Sequence, residues 1–528
     1  MTAGPILRRS APFLLAALSG LAAGLTHPNA SFLPLLPVAL VPLLFALRGN
    51  GRGRAAIAGG VFGTVFWLTT IPWIAFTVER FGEMPRPVAL LALFLASVLL
   101  ALPFAAMGWL VALADPRRPL AVAAAFPAAW VVQEGIRTYF LGGFPWALLS
   151  APLADVPPLS QSAALGGVLL TSGLVALVNA SVFLALVSAG RSRAAWLALA
   201  AGIPALAFGL GRERLARAER APGPDLPELR VLLLQPNVAQ EVRFDDAARS
   251  SIYVDLLART EAALGSAPAD LVVWPESAVP YSWPWARLLR DDVVSLCRRH
   301  RTAVLLNTVW SDAPDDDEAP YYNSALLVTP DGAVLPPYHK QRLVPFGEYV
   351  PLASVLRRIR PISRAVPGSF SPADRTVVLP LGDWKLGGAV CYEVVYPWIA
   401  RAEVRAGANL LFTLTNDAWY GRLGARRQHW QAAAFRSVET GRPLVRAAIT
   451  GLTGVVDAAG RSRTIPMDQP GELRVTLGGR SGLLRPLAPP PAVRLGDAVL
   501  WVCVGGVAAG ILRRRVSQPR RPAGDPAP

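Results

Sequence analysis

Eight runs of apolar residues, near 11–26, 31–47, 55–77, 87–113, 119–136, 161–188, 194–210 and 494–512, narrow what this chain can fold into more than any other feature. A segment that crosses a bilayer needs about 20 mostly apolar residues in helical form, because backbone N–H and C=O groups find no water in hydrocarbon. Seven runs fill the first 210 residues and the eighth lies near the end. Pro and Gly interruptions leave that count open by about one. The first run, behind Arg8 and Arg9, has the outline of a secretory signal, but the runs that follow at once make it the first helix of a bundle. Composition points the same way, with 53% hydrophobic and only 17% charged residues. Residues 229–480, by contrast, have ordinary globular composition. The expected organisation is a transmembrane bundle (1–210), a water-facing domain (229–480), a last transmembrane helix (494–512) and a Pro- and Arg-rich disordered tail (513–528).

The formal charge of +16 is almost wholly arginine, since only Lys340 and Lys385 among 52 basic residues are lysines. Basic excess attracts nucleic acid or anionic lipid. Zinc-finger spacing, a P-loop and RNA-binding signatures are all missing, so nucleic acid is set aside as a partner. The arginines instead mark alternate short loops: Arg8 and Arg9; Arg48, Arg52 and Arg54; Arg117 and Arg118; Arg191 and Arg193; and 513–515. The intervening loops are poorer, with Arg80 and Arg86 offset by Glu79 and Glu83, and Arg137 alone in 137–160. By the positive-inside bias, both termini lie in the cytoplasm and 211–492 lies outside. Three cysteines make no disulfide framework, with a Cys297–Cys391 bridge the one pairing left open.

The outer segment "EGIRTYFLGGFPWALLS" (134–150) reads either as an interfacial aromatic belt or as a lip where lipid meets the outer domain. Glu134 is an intramembrane carboxylate and so a functional candidate. The outer domain alternates β-rich with helical runs, as an α/β sandwich does. Glu276 in "WPES" and Cys391 in "GGAVCYEVVYP" sit at strand ends, and Lys340 follows another strand and turn. Strand carboxyl ends converge on one rim, where ligands bind. A thiol near pKa 8.5 needs a base or a cation to react, a carboxylate can take its proton, and an ammonium can meet an oxyanion. Taken singly, Glu276 reads as a turn carboxylate and Cys391 as a small buried hydrophobe. Lys340 is harder to set aside, because a chain that so prefers arginine has used a compact ammonium there.

"WPES" (274–277), "HKQRLVPFGEYVP" (339–351) and "CYEVVYP" (391–397) resemble the nitrilase, or carbon–nitrogen hydrolase, superfamily with its Glu–Lys–Cys triad. With "GGFPW" (142–146), "NDAWYG" (416–421), "QHW" (428–430) and "ETGRPLVRAAITGLTGVVD" (439–457), nearly the whole chain resembles the apolipoprotein N-acyltransferase family. The resemblance implies an αββα domain on a helical bundle in a bacterial cytoplasmic (inner) membrane, with the domain on the periplasmic side. It implies no cofactor and no metal, and the expected state is a monomer. It also implies a two-step reaction. Cys391 takes an acyl chain from a phospholipid, typically phosphatidylethanolamine, as a thioester, and the α-amino group of an apolipoprotein's diacylglyceryl-cysteine receives it. By the same carry-over Glu276 is the base, Lys340 the oxyanion partner and Cys391 the nucleophile. Glu348, Tyr392 and Glu393 are supporting positions, with Glu348 and Glu393 either serving the amine or orienting Lys340. Two departures stand out: Arg243-Phe244 replaces a lysine–tryptophan pair, and "RLGARRQHW" is more basic than the family pattern. Phe244 keeps an aromatic face for lipid without the indole N–H. The rival readings are a membrane-tethered amidase that passes the acyl group to water, and a receptor or transporter using Glu134 and Asp497.

Overall fold

The computed structural model describes residues 5–114, 118–220, 226–243, 246–316, 318–350, 353–356, 358, 369–479 and 484–517. Among these, four helical stretches are long and apolar enough to cross a membrane: Arg86–Val111, Pro119–Gly142, Ala163–Val187 and Gly190–Arg220. A fifth is the pair Arg52–Thr70 and Trp73–Arg80, bent by 59° at its break. Ser10–Leu25 and Ala498–Leu512 are shorter apolar helices.

Two details differ from the sequence expectation. The run 31–47 is not one helix but a single 3-10 turn, Leu33–Leu35, and a short helix, Val41–Leu47. Pro34, Pro37 and Pro42 deny it a continuous ladder of N–H donors. Asn179 repairs the break from a neighbouring helix: its Oδ1 accepts from the Leu40 N–H at 2.8 Å and its Nδ2 donates to the Leu36 carbonyl at 2.9 Å. Arg137 is not a loop arginine either; it lies buried in the helix Pro119–Tyr139. At the other end, the last helix runs from Ala498 to Ser517, and residues 518–528 of the expected tail lie outside the described residues.

The α/β domain contains strands β1 (Leu229–Gln235), β2 (Leu271–Val273), β3 (Ala303–Trp310), β4 (Tyr322–Val328), β5 (Tyr338–His339), β6 (Leu379–Leu381), β7 (Trp384–Val390), β8 (Leu410–Thr415), β9 (Leu444–Ala448), β10 (Gly454–Val456), β11 (Ser462–Thr464) and β12 (Gly471–Leu477). They form two six-stranded sheets, β12-β1-β2-β3-β4-β5 and β11-β10-β9-β8-β7-β6. β1, β2 and β3 run parallel, as do β7, β8 and β9. Their sequences are nearly unbroken apolar runs because both faces are covered. Leu233, Val273 and Leu305 of one sheet share a core with Leu386, Val390, Phe412 and Val445 of the other. Helices Arg249–Ser266 and Arg287–His300 cover the first sheet.

Helices Pro397–Arg405 and Ala425–Thr440 cover the second sheet, which completes the αββα order. This last layer is shared with the bundle. Ile399, Trp430 and Phe435 belong to one continuous apolar cluster with Phe62, Phe66 and Trp146. The domain therefore sits on the membrane helices through its own core packing, which fixes where its strand ends point.

Candidate active site

Three strands deliver the three predicted groups. Glu276 follows β2 by three residues, Lys340 comes directly after β5, and Cys391 directly after β7. Cys391 has φ +54°, a left-handed conformation that a side chain adopts only where the surroundings hold it. The strand thus turns sharply at the cysteine into the 3-10 helix Cys391–Val395. All three groups are almost fully enclosed, with exposures of 7%, 1% and 6% for Glu276, Lys340 and Cys391.

The Lys340 ammonium bonds Glu348 Oε1 at 2.9 Å and lies 3.8 Å from Glu276 Oε1. Asn323 Nδ2 donates to both carboxylates, at 2.7 Å to Glu348 and 3.2 Å to Glu276. Asn307 fixes that amide by donating to Asn323 Oδ1 at 2.6 Å. The second Glu276 oxygen accepts the Asn416 N–H at 2.9 Å. Burial opposes the Lys340 charge, but Glu348 first and Glu276 next outweigh it and hold the ammonium above its usual range. Burial, and then the Glu276 carboxylate, push the Cys391 thiol up, against the pull of Lys340. The resting group is therefore a thiol, to which the Thr415 hydroxyl donates at 3.3 Å. Such a thiol needs a base at the moment of reaction.

Glu393 does not touch Lys340. It accepts the N–H groups of Gln341, Arg342 and Val390 at 2.6, 3.1 and 2.8 Å and the Tyr338 hydroxyl at 2.9 Å. Burial raises its carboxyl to about 7, although Lys340 and then the Val390, Gln341 and Tyr338 donors favour the anion. Glu393 thereby ties the chain just after Lys340 to the turn at Cys391, while Glu348 contacts the ammonium itself. Glu348 thus bonds the Lys340 ammonium directly, and Glu393 holds the backbone that follows it. Tyr392 stacks on Trp146, with ring centroids 6.2 Å apart and planes 17° from parallel. Phe244 lies outside the described residues.

Sequence reasoning singled out neither Asn323 nor a second buried cluster. His429 approaches the Cys391 carbonyl with Nε2 at 2.9 Å and Asp417 with Nδ1 at 3.0 Å, and Arg446 donates to Asp417 at 2.7 Å. "NDAWYG" and "QHW" contain two of these residues, and an arginine inside the apolar run "PLVRAAI" was a signal for the third. Burial works against the Asp417 anion, yet Arg446 and then His429 draw it down to about 2. A depressed carboxylate contributes stability that is present above its unfolded value and lost as pH falls through the folded one. Wild type should therefore lose about 2 kcal/mol between about pH 4 and pH 2 through this group. Asp417→Asn should lose that acid limb and, with Arg446 left unpaired, be about 3–5 kcal/mol less stable at neutral pH. Urea melts of both proteins across this range check it, and an unchanged acid limb in the variant contradicts it.

Glu134 and Asp497 do not mark a pathway. Glu134 Oε1 accepts the Leu149 N–H and the Trp130 indole N–H at 2.8 and 3.1 Å. Asp497 pairs with Arg401 at 2.7 Å and accepts the Tyr139 hydroxyl. Cys297, Cys391 and Cys503 are all free thiols, so the bridge left open does not form.

Comparison with known proteins adds independent findings. Residues 19–181 match the family model described as apolipoprotein N-acyltransferase N-terminal domain, and residues 231–469 match carbon-nitrogen hydrolase. An apolipoprotein N-acyltransferase from Geobacter metallireducens is 33% identical over 516 residues, which is 95% of this chain and 96% of that protein. One from Pseudomonas putida is 34% identical over 450 residues, or 83% and 85% of the two chains. Among solved structures, a nitrilase-superfamily amidase from Nesterenkonia AN1 is 22% identical, with a TM-score of 0.35, covering 47% of this chain and 90% of that one.

Proposed function

This chain belongs to the apolipoprotein N-acyltransferase family, and on that premise we propose that Cys391 carries a fatty acyl group from a membrane phospholipid to the α-amino group of a diacylglyceryl-cysteine. One observation carries the assignment of roles. Glu276 and Lys340 lie 3.8 Å apart and both act on the Cys391 thiol, all three enclosed in a domain whose outer helix layer is packed into the membrane bundle.

In the first half-reaction Cys391 Sγ attacks the ester carbonyl while Glu276 takes the thiol proton. The Lys340 ammonium meets the charge that develops on the carbonyl oxygen, joined by the backbone N–H following the nucleophile. Collapse breaks the bond to the glycerol oxygen, which leaves as a lysophospholipid with the proton from Glu276. In the second half the lipoprotein amine attacks the thioester, Glu276 takes its proton, and that proton returns to Sγ as the amide forms. An amine near pKa 8 reacts in its neutral form, so a carboxylate within reach raises the rate. Glu348 and Glu393 keep Lys340 charged and aimed throughout.

The same reading has phosphatidylethanolamine as donor, a monomeric protein, and the domain on the outer face of a bacterial cytoplasmic membrane with both termini inside. The arginine alternation of the short loops supports that orientation. Partition of the acyl group tests the function. With labelled phospholipid and a diacylated lipopeptide, label should appear as lipopeptide amide, with free fatty acid a minor product. Label released chiefly to water, with or without lipopeptide, would make the protein an amidase-type hydrolase.

A further inference from the structure

The segment 143–150 has neither helix nor strand, yet residues 145–150 are buried where the domain meets the bundle. Irregular backbone at such a place has to have its N–H and C=O groups met by protein. Membrane helices, and the turn after the first of them, meet them one after another. Arg137 Nη2 donates to the carbonyls of Trp146 and Ala147, at 2.5 and 3.4 Å. His27 Nε2 meets the Leu148 carbonyl at 3.2 Å. Glu134 Oε1 accepts the Leu149 N–H at 2.8 Å, and Ser172 Oγ accepts the Ser150 N–H at 3.2 Å. The Arg137 guanidinium is itself held between rings, 4.6 Å from the Trp67 centroid and 5.3 Å from that of Phe104.

What this cradle holds is the floor of the nucleophile. The Trp146 ring stacks beneath Tyr392, the residue after Cys391, and its indole N–H donates to Gln428 Oε1 at 2.6 Å. Phe144 stacks on the same tyrosine at 6.3 Å. From above, the Tyr396 hydroxyl donates to the carbonyls of Gly142 and Gly143 at 2.9 and 3.0 Å. The strained turn at Cys391 therefore rests on an aromatic layer whose backbone is fixed from within the membrane part.

We propose that Arg137 is a positioning residue: through Trp146 and Tyr392, and with Glu134 and His27 holding the next residues of the segment, it sets the placement of the Cys391 turn. This rests on Cys391 being the acyl carrier. The guanidinium is needed for its shape, since its flat face packs between two rings while one of its nitrogens reaches two adjacent carbonyls, and a compact ammonium offers no such face. A displacement of about 1 Å at a nucleophile reduces rate by about 100-fold.

The test is single-turnover acylation of the purified protein by phospholipid, followed by intact mass. Arg137→Gln should lower the acylation rate constant about 30- to 100-fold, with half-saturating phospholipid unchanged within about twofold. Trp146→Ala should do the same, and the double variant should be no slower than Trp146→Ala alone, because both act through one contact chain. Arg137→Lys should stay at least about tenfold slow despite keeping its charge. It also serves as the readout if Arg137→Gln fails to accumulate. Wild-type rate constants in the Arg137 variants, or losses that multiply in the double variant, would overturn the proposal. A wild-type protein that forms no adduct would overturn the reading of Cys391, and this proposal with it. Normal wild-type acylation beside equally fast Arg137 variants overturns this proposal alone.

Discussion

Cys391→Ala is expected to abolish acyl transfer, by at least about 10⁴-fold, in a protein that still folds and inserts. The loss is large because the reaction is divided in two by the thioester. Without Sγ, ester and amine would have to react directly, with no thioester between them. The structural effect is small by comparison. The side chain is 6% exposed, its one polar contact among the described residues is the Thr415 hydroxyl, and alanine bears the same φ of +54° as cysteine does. A stability change of about 1 kcal/mol follows from losing that contact. Amide formation and thermal melting, measured on one preparation, separate the two effects. Transfer within about tenfold of wild type would remove Cys391 from the chemistry.

Lys340→Met should damage both rate and fold, and the two losses carry opposite information. Removing the ammonium leaves Glu276 and Glu348 both bonded to one Asn323 amide in an enclosed site. Breaking a buried ion pair on one side costs about 3–5 kcal/mol, because the remaining charges lose their partner. The oxyanion also loses its cation, for which about a 10³-fold fall in acylation is expected. Urea melts and single-turnover acylation of one preparation check the two losses, and a variant as stable as wild type would contradict the ion-cluster account.

The groups legible in the sequence were those whose chemistry sits at an obvious boundary. Glu276 and Cys391 each close an apolar strand, and Lys340 is one of two lysines in a chain of arginines, so type and place pointed the same way. An α/β sandwich followed from short, fully apolar strands alternating with helical spacing, and the αββα order from the family resemblance. What stayed hidden depends on contacts between distant segments. Asn323 bridges two carboxylates from its place near the start of β4, where a polar residue reads as an ordinary strand neighbour. The break in 31–47 is stabilised by Asn179, about 140 residues away, so local hydropathy alone favoured a continuous helix. Arg137 looked like a loop charge because a buried guanidinium between two aromatic rings leaves no local pattern. Glu393 was singled out for its place beside the thiol, but its attachment to the backbone after Lys340 is a tertiary fact.

The most direct measurement is the intact mass of the purified full-length protein after incubation with phosphatidylethanolamine of one defined chain. The account predicts a gain of one fatty-acyl group per chain, mapped by hydroxylamine-sensitive peptide analysis to Cys391, that disappears when a diacylated lipopeptide is added and reappears on its amine. An acyl group found on another residue, or no adduct while lipopeptide is still converted to amide, would contradict it.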